Sequence, residues 1–152
     1  FTENIQRLEV KTASGRTRIH RFSLEQLRPL AGTLAIITSV LMERSAGGQC
    51  INDLVDSIRG RVAEPELLLR LDAVVASTLG NEWRSALYDR FDSQLAAETI
   101  RFLGAQTIPS VPTAIPPEVM DIHFRVDLTT HPLTPPEGLC QAGGLFAAML
   151  PR

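Results

Sequence analysis

The stretch EPELLLRLDAVVASTLGNEWRSALYDRFDSQLAAETIRFLG, residues 64–104, is where the fold class is decided. Glu64-Pro65-Glu66 opens it, Leu67, Leu68, Leu71, Val74, Val75 and Leu79 follow at helical spacing, and Gly80 stops it. Proline just inside the start and glycine past the end is the asymmetry of a helix. Asn81 is then a good N-cap for a second pattern, in which Trp83, Leu87, Phe91 and Leu95 stand four apart ahead of Phe102, Leu103 and Gly104. A stripe with that spacing packs into a core rather than lining a ligand groove. Two amphipathic helices back to back are predicted, with the rest of the chain arranged around them.

Upstream, residues 5–22 read as a β-hairpin. Leu8 and Val10 alternate with Glu9 and Lys11, Ala13-Ser14-Gly15 supplies a turn, and Thr17 and Ile19 alternate with Arg18 and His20. Ser23 and Gln26 have the spacing of a capping box, with Phe22 and Leu27 as its hydrophobic staple, so a helix starts there. Pro29 interrupts it, and a main helix is predicted from about residue 29. Leu30 to Glu43 is apolar nearly all round, the mark of the most buried helix of a domain. Gly47-Gly48 ends that helix, and Ile51–Arg59 forms a shorter one closed by Gly60. Short loops between these segments favour antiparallel neighbours.

Downstream the character changes, because eight of the ten prolines lie at or beyond Pro109. Thr107 to Pro117 can be neither helix nor central strand and is expected to run extended. Val119 to Leu128 is the clearest strand: Ile122, Phe124, Val126 and Leu128 face one way and Asp121, His123, Arg125 and Asp127 the other. The fold class is therefore α+β, a small antiparallel sheet of the N-terminal hairpin and this strand, packed on three to four helices. A single domain is expected over residues 1–128, with its helical part at 23–104 and a Pro-rich connector at 105–118. Residues 129–152 are expected as an extended, Pro-rich C-terminal arm ending in an apolar patch.

Composition excludes more than it selects. With 152 residues, 44% of them hydrophobic, and a net charge of −2, one core is the default and nothing draws the whole chain to nucleic acid or lipid. Charge is uneven, since six cations against three carboxylates leave +3 over residues 1–28 and −5 over the remainder. No run approaches the ~20 apolar residues of a membrane span, and no basic-then-apolar leader opens the chain. Cys50 and Cys140 stand far apart without metal spacing, which suits a reduced, intracellular protein.

No catalytic constellation emerges. His20 and His123, with His131 or Cys140, could meet only across strands, and both histidines are expected on solvated faces. Asp89 and Asp92 read as a solvated helix face, and Asp121 and Asp127 as the polar side of a strand. No cofactor and no small-molecule substrate is indicated. The cationic hairpin, Lys11, Arg16, Arg18 and Arg21 with His20, is the candidate anion-binding set. It has no interleaved aromatics on which single strands would stack.

What remains points to assembly. An open strand edge, a stiffened arm and an apolar terminus are the parts of a subunit that builds into something larger. Leu139, Leu145, Phe146, Met149 and Leu150 are the candidate protein-binding residues. Over residues 5–45 a hairpin followed by a leucine-rich helix resembles small phage tail-assembly proteins, which implies a virion, tail or secretion-type assembly. The expected function is a non-enzymatic structural subunit in the cytoplasm or in an intracellularly assembled particle, with other protein chains as partners. The alternative is a nucleic-acid-binding or regulatory module using the basic hairpin, with nucleic acid ranked behind protein partners.

Overall fold

The structure, a computed structural model, describes residues 2–3, 6–111, 114–116, 118–135 and 144–148. Its elements in chain order are β1 (Thr2–Glu3), β2 (Gln6–Ala13), β3 (Ile19–Ser23), α1 (Leu24–Leu27), β4 (Leu34–Leu41), β5 (Arg44–Cys50), α2 (Ile51–Arg59), α3 (Pro65–Leu79), α4 (Trp83–Ala86), β6 (Arg90–Phe91), α5 (Ser93–Glu98), β7 (Arg101–Gly104), β8 (His123–Asp127) and α6 (Gly144–Ala148). The α+β class holds. The chain divides into two compact units, one formed by Phe1–Leu41 with Ala97–Arg152 and the other by Met42–Ala96.

The first unit is organised by β4. Its sequence, LAIITSVL, has five consecutive buried residues from Ala35 to Ser39. Such a run, apolar on both faces, reads equally as a buried helix or a buried strand. Eight residues after a left-handed Gly32 turn, with Ile36, Ile37, Thr38 and Val40 branched at Cβ, favour the strand. This corrects the helix expected over residues 30–43. A strand buried on both faces needs neighbours on both edges. β2 lies parallel along one, in register from Gln6↔Leu34 to Ala13↔Leu41, and β7 lies antiparallel along the other.

The sheet order is β1-β2-β4-β7, so the main sheet is mixed. β4 takes the place beside β2 that β3 was expected to fill, and the hairpin of residues 5–22 does not form. β3 instead pairs antiparallel with β8, from Ile19↔Asp127 to Ser23↔His123. The strand expected near 119–128 is thus present and joins the second half of the expected hairpin.

Between the main sheet and the β3–β8 ribbon lies a core of Phe22, Leu27, Ala35, Ile37, Leu103, Ala105, Ile108 and Leu128, with Phe124 and Val126 against it. The opposite face of the main sheet buries Ile36 and Phe146 with Leu8, Phe102 and Leu145. Residues after β8 bond back to this unit: Thr134 N donates to Phe102 O (2.9 Å), and His131 Nε2 meets Thr107 Oγ1 (3.1 Å).

The second unit confirms α2 and α3 at the expected places and breaks the expected helix over 81–104. Ile51 N and Asn52 N take the carbonyls of Asp89 and Leu87, while the Asp92 carboxylate accepts from Leu95 N, so the chain turns after α4 and restarts at α5. The Trp83-to-Leu95 stripe is divided among separate elements, and Trp83 remains 41% exposed. Gly47-Gly48, expected to stop a helix, sits inside β5, which pairs with β6 across an irregular register. A Cβ on Gly48 would lie 2.2 Å from the Phe91 carbonyl oxygen, so this close backbone approach needs glycine.

Candidate active site

Alternation along β2 puts Arg7, Glu9 and Lys11 on the face that meets α1. Lys11 Nζ donates to Glu9 Oε1 at 2.9 Å and to Gln26 Oε1 at 3.0 Å. Gln26 Nε2 donates to the same Glu9 oxygen at 2.6 Å. Gln26 also accepts from Ser23 N at 3.0 Å, as the N3 residue of the capping box expected there. One amide therefore starts α1 and holds both a carboxylate and an ammonium. Arg7 Nη2 donates to the carbonyls of Glu25 and Gln26 on the same short helix, while its buried Nε has no partner among the described residues. Lys11 Nζ stands 5.3 Å from the Phe22 ring centroid, so core and cluster share an edge. The Lys11 and Glu9 side chains are 18% and 27% exposed, which leaves the pair reachable from solvent.

A second polar layer lies behind it. Lys11 is in register with Ser39 on β4, and Ser39 with Arg101 on β7. Arg18 donates to Ser39 O (2.9 Å), Ser39 Oγ (2.8 Å) and Thr99 O (2.6 Å). His20 Nε2 meets Ser39 Oγ at 2.7 Å. With Arg18 donating to it, the Ser39 hydroxyl is free to point its own hydrogen at His20 Nε2, an arrangement open to a neutral ring. The pKa directions agree: burial, then the charges of Arg18 and Lys11, lower His20 below its ordinary 6.5 against a bond to the Thr12 backbone. Burial and the neighbouring Arg101 likewise lower Arg18.

The candidate anion-binding set is consequently split. Arg18 and His20, expected on a solvated face, are 3% and 2% exposed, because β3, which Arg18 directly precedes and His20 belongs to, is part of the ribbon that covers the core. Arg16 and Arg21 are exposed, and Lys11 belongs to the Glu9 cluster. Leu145 and Phe146, expected as docking residues for another chain, lie on their own sheet, where Phe146 N donates to Gln6 Oε1 at 3.2 Å. Leu139, Met149, Leu150 and Cys140 lie outside the described residues.

His20 is buried and His123 exposed on the β3–β8 ribbon, so they do not converge, and no group of three His, Cys, Asp or Glu among the described residues could hold a metal ion. Asp89 pairs with Arg44 at 2.8 Å, and the Asp127 carboxylate accepts from Thr129 N at 2.9 Å.

The sequence reading gave Glu9 no functional role and took Gln26 only as half of a capping box. The signal was there: Glu9-Val10-Lys11 puts a carboxylate and the chain's one lysine on a single strand face.

A family model described as "Putative PD-(D/E)XK family member, (DUF4420)" matches residues 1–129. Neither a curated protein nor a solved structure matches the chain. The family's description spells a signature, Pro-Asp followed by Asp or Glu, any residue and Lys. Glu9-Val10-Lys11 fits its second half, and no Pro-Asp pair occurs in the 152 residues. The match overturns the expectation of a non-enzymatic structural, virion or assembly subunit, and with it the resemblance to tail-assembly proteins, since a nuclease-type family points to an enzyme or to nucleic-acid work. Ranking nucleic acid behind protein partners is overturned on the same ground. With residues 1–129 inside the match, the chain belongs to the DUF4420 family.

Proposed function

We propose that the protein is a nuclease that hydrolyses phosphodiester bonds in nucleic acid, with Glu9 and Lys11 at the reacting phosphate. The observation that carries this reading is the Glu9–Lys11 pair, 2.9 Å apart on one face of β2 and part-exposed, at the one place where the chain fits the family signature. In phosphodiester hydrolysis, negative charge spreads over the non-bridging phosphoryl oxygens as water attacks. A fixed ammonium stabilises that charge most when it needs no reorganisation. Glu9 and Gln26 fix Lys11 in advance, and the Phe22 ring limits the water around it.

Divalent-cation chemistry of this kind needs several hard oxygen ligands. Among the described residues Glu9 is the one carboxylate of the cluster, already held by Lys11 and Gln26, and no three acidic, His or Cys side chains converge. The described side chains alone do not make a cation cage, and no step is assigned to a metal.

Incubating labelled DNA and RNA with the purified protein in magnesium-containing buffer tests the reading. Wild type is expected to cleave at least one substrate. Lys11→Ala and Glu9→Gln are each expected to lower the rate by about a hundredfold or more, the scale of losing one charge-stabilising group, with unchanged circular dichroism. Variants that cut as fast as wild type, or a wild type that cuts neither substrate, would sink it.

A further inference from the structure

The ribbon of β3 and β8 has one face in the core, where Phe22, Leu128 and His20 are at most 2% exposed. Its other face carries Ile19, Arg21 and Ser23 opposite Asp127, Arg125 and His123. Arg21 and Arg125 are direct cross-strand partners, and both are exposed. Side chains so paired have Cβ atoms about 4.5–5.5 Å apart, and two like charges there repel. Neither guanidinium takes part in the ion pairs among the described residues.

Asp127 on this face and Glu25 on the adjoining α1 keep their charges and bond to other donors. Asp127 is lowered in pKa by its bonds to the Thr129 side chain and backbone. Glu25 is lowered by its own backbone N–H and the Ser23 hydroxyl, then by His123. The exposed Arg16 precedes β3 on the connection from β2.

We propose that this outer face, centred on Arg21 and Arg125, is a contact for the phosphate backbone of nucleic acid, separate from the Glu9–Lys11 cluster. Two guanidinium forks held by a core-anchored ribbon can share one phosphate or grip two successive ones, and an anion between them turns repulsion into attraction. Such a contact fixes position without reading sequence. The inference rests on the nuclease reading and adds a binding surface that the reading does not require.

The test is fluorescence anisotropy of a labelled DNA duplex with the intact protein in EDTA, so that binding is measured without cleavage, over a range of salt. Wild type should bind with an affinity that falls steeply with salt. Arg21→Ala with Arg125→Ala should weaken binding and lower the slope of log affinity against log salt by about 2, roughly one per lost phosphate contact. The control Arg61→Ala with Arg70→Ala, which removes the same charge from exposed positions in the other unit, should leave the slope unchanged. Wild-type binding that the Arg21/Arg125 variant retains, or that the control loses equally, overturns this inference and leaves the nuclease reading standing. A wild type that binds no duplex also overturns this inference, while the nuclease reading stands or falls on the cleavage of labelled DNA and RNA.

Discussion

At the scale of single residues, Gln26 and Ser39 each organise a polar cluster on the first unit. Gln26 ties a carboxylate to an ammonium. Ser39 ties a guanidinium to an imidazole whose hold on a second proton is weakened by burial and by the charges of Arg18 and Lys11. The linkage has a definite sign. A histidine lowered on folding binds its proton more readily in the unfolded chain, so stability is full above the unfolded value of 6.5 and falls as pH drops below it, until the folded value is passed. Thermal melts between neutral and mildly acidic pH are therefore expected to show a falling midpoint below about pH 6.5, and His20→Gln is expected to flatten that fall. A His20→Gln profile that drops as steeply as wild type would remove His20 as the cause. The sequence reading missed this layer, because alternation with Thr17 and Ile19 assigned His20 to a solvated side. Only the pairing of β3 with β8, and their seat on the main sheet, turns that side inward.

At the scale of elements, glycines separate the two kinds of error in reading the chain. Gly47-Gly48 looks like a helix stop after an apolar run, yet the run is strand β4 and the pair lies inside β5. Local pattern cannot tell a doubly buried strand from a buried helix, and what decides is the neighbour on each edge, which lies far along the chain. Elements closed by their own local chemistry were legible: the Ser23/Gln26 capping box, α2 ending at Gly60, and α3 between Pro65 and Gly80. The site was half legible for the same reason, since Glu9-Val10-Lys11 is local while the approach of Gln26 depends on how α1 meets β2. The two glycines also give a sharp contrast. Gly48→Ala would push a methyl carbon to 2.2 Å from Phe91 O and 2.5 Å from Phe91 C, backbone atoms that cannot swing aside. It is expected to lower stability in urea melts by about 1–3 kcal/mol. Gly47→Ala meets nothing within 4 Å and is expected to be neutral or stabilising by up to about 1 kcal/mol. Equal effects from the two would mean that the β5–β6 approach is not as close as described.

At the scale of the whole molecule, the first unit is assembled from both ends of the chain, and Met42–Ala96 is an insertion between β4 and β7. The two strands it separates are already antiparallel partners, with Ser39 opposite Arg101, and Leu41 N donates to Thr99 Oγ1 at 3.1 Å just where the insertion leaves and returns. The buried clusters of the first unit draw every member from residues 8–37 and 102–146. The Glu9–Lys11–Gln26 cluster, the Arg18–Ser39–His20 layer and the Arg21/Arg125 face belong to the same unit. Replacing residues 42–96 by a short Gly-containing turn should therefore convert β4 and β7 into a simple hairpin and leave a folded protein with one cooperative melt. Closing a shorter loop costs less chain entropy, so pairing of β4 with β7 is favoured rather than weakened. If the nuclease reading holds, the shortened protein keeps duplex binding and its salt slope. An unfolded product would show that the insertion supplies core the first unit lacks, and a folded product that no longer binds would move the nucleic-acid surface out of the first unit.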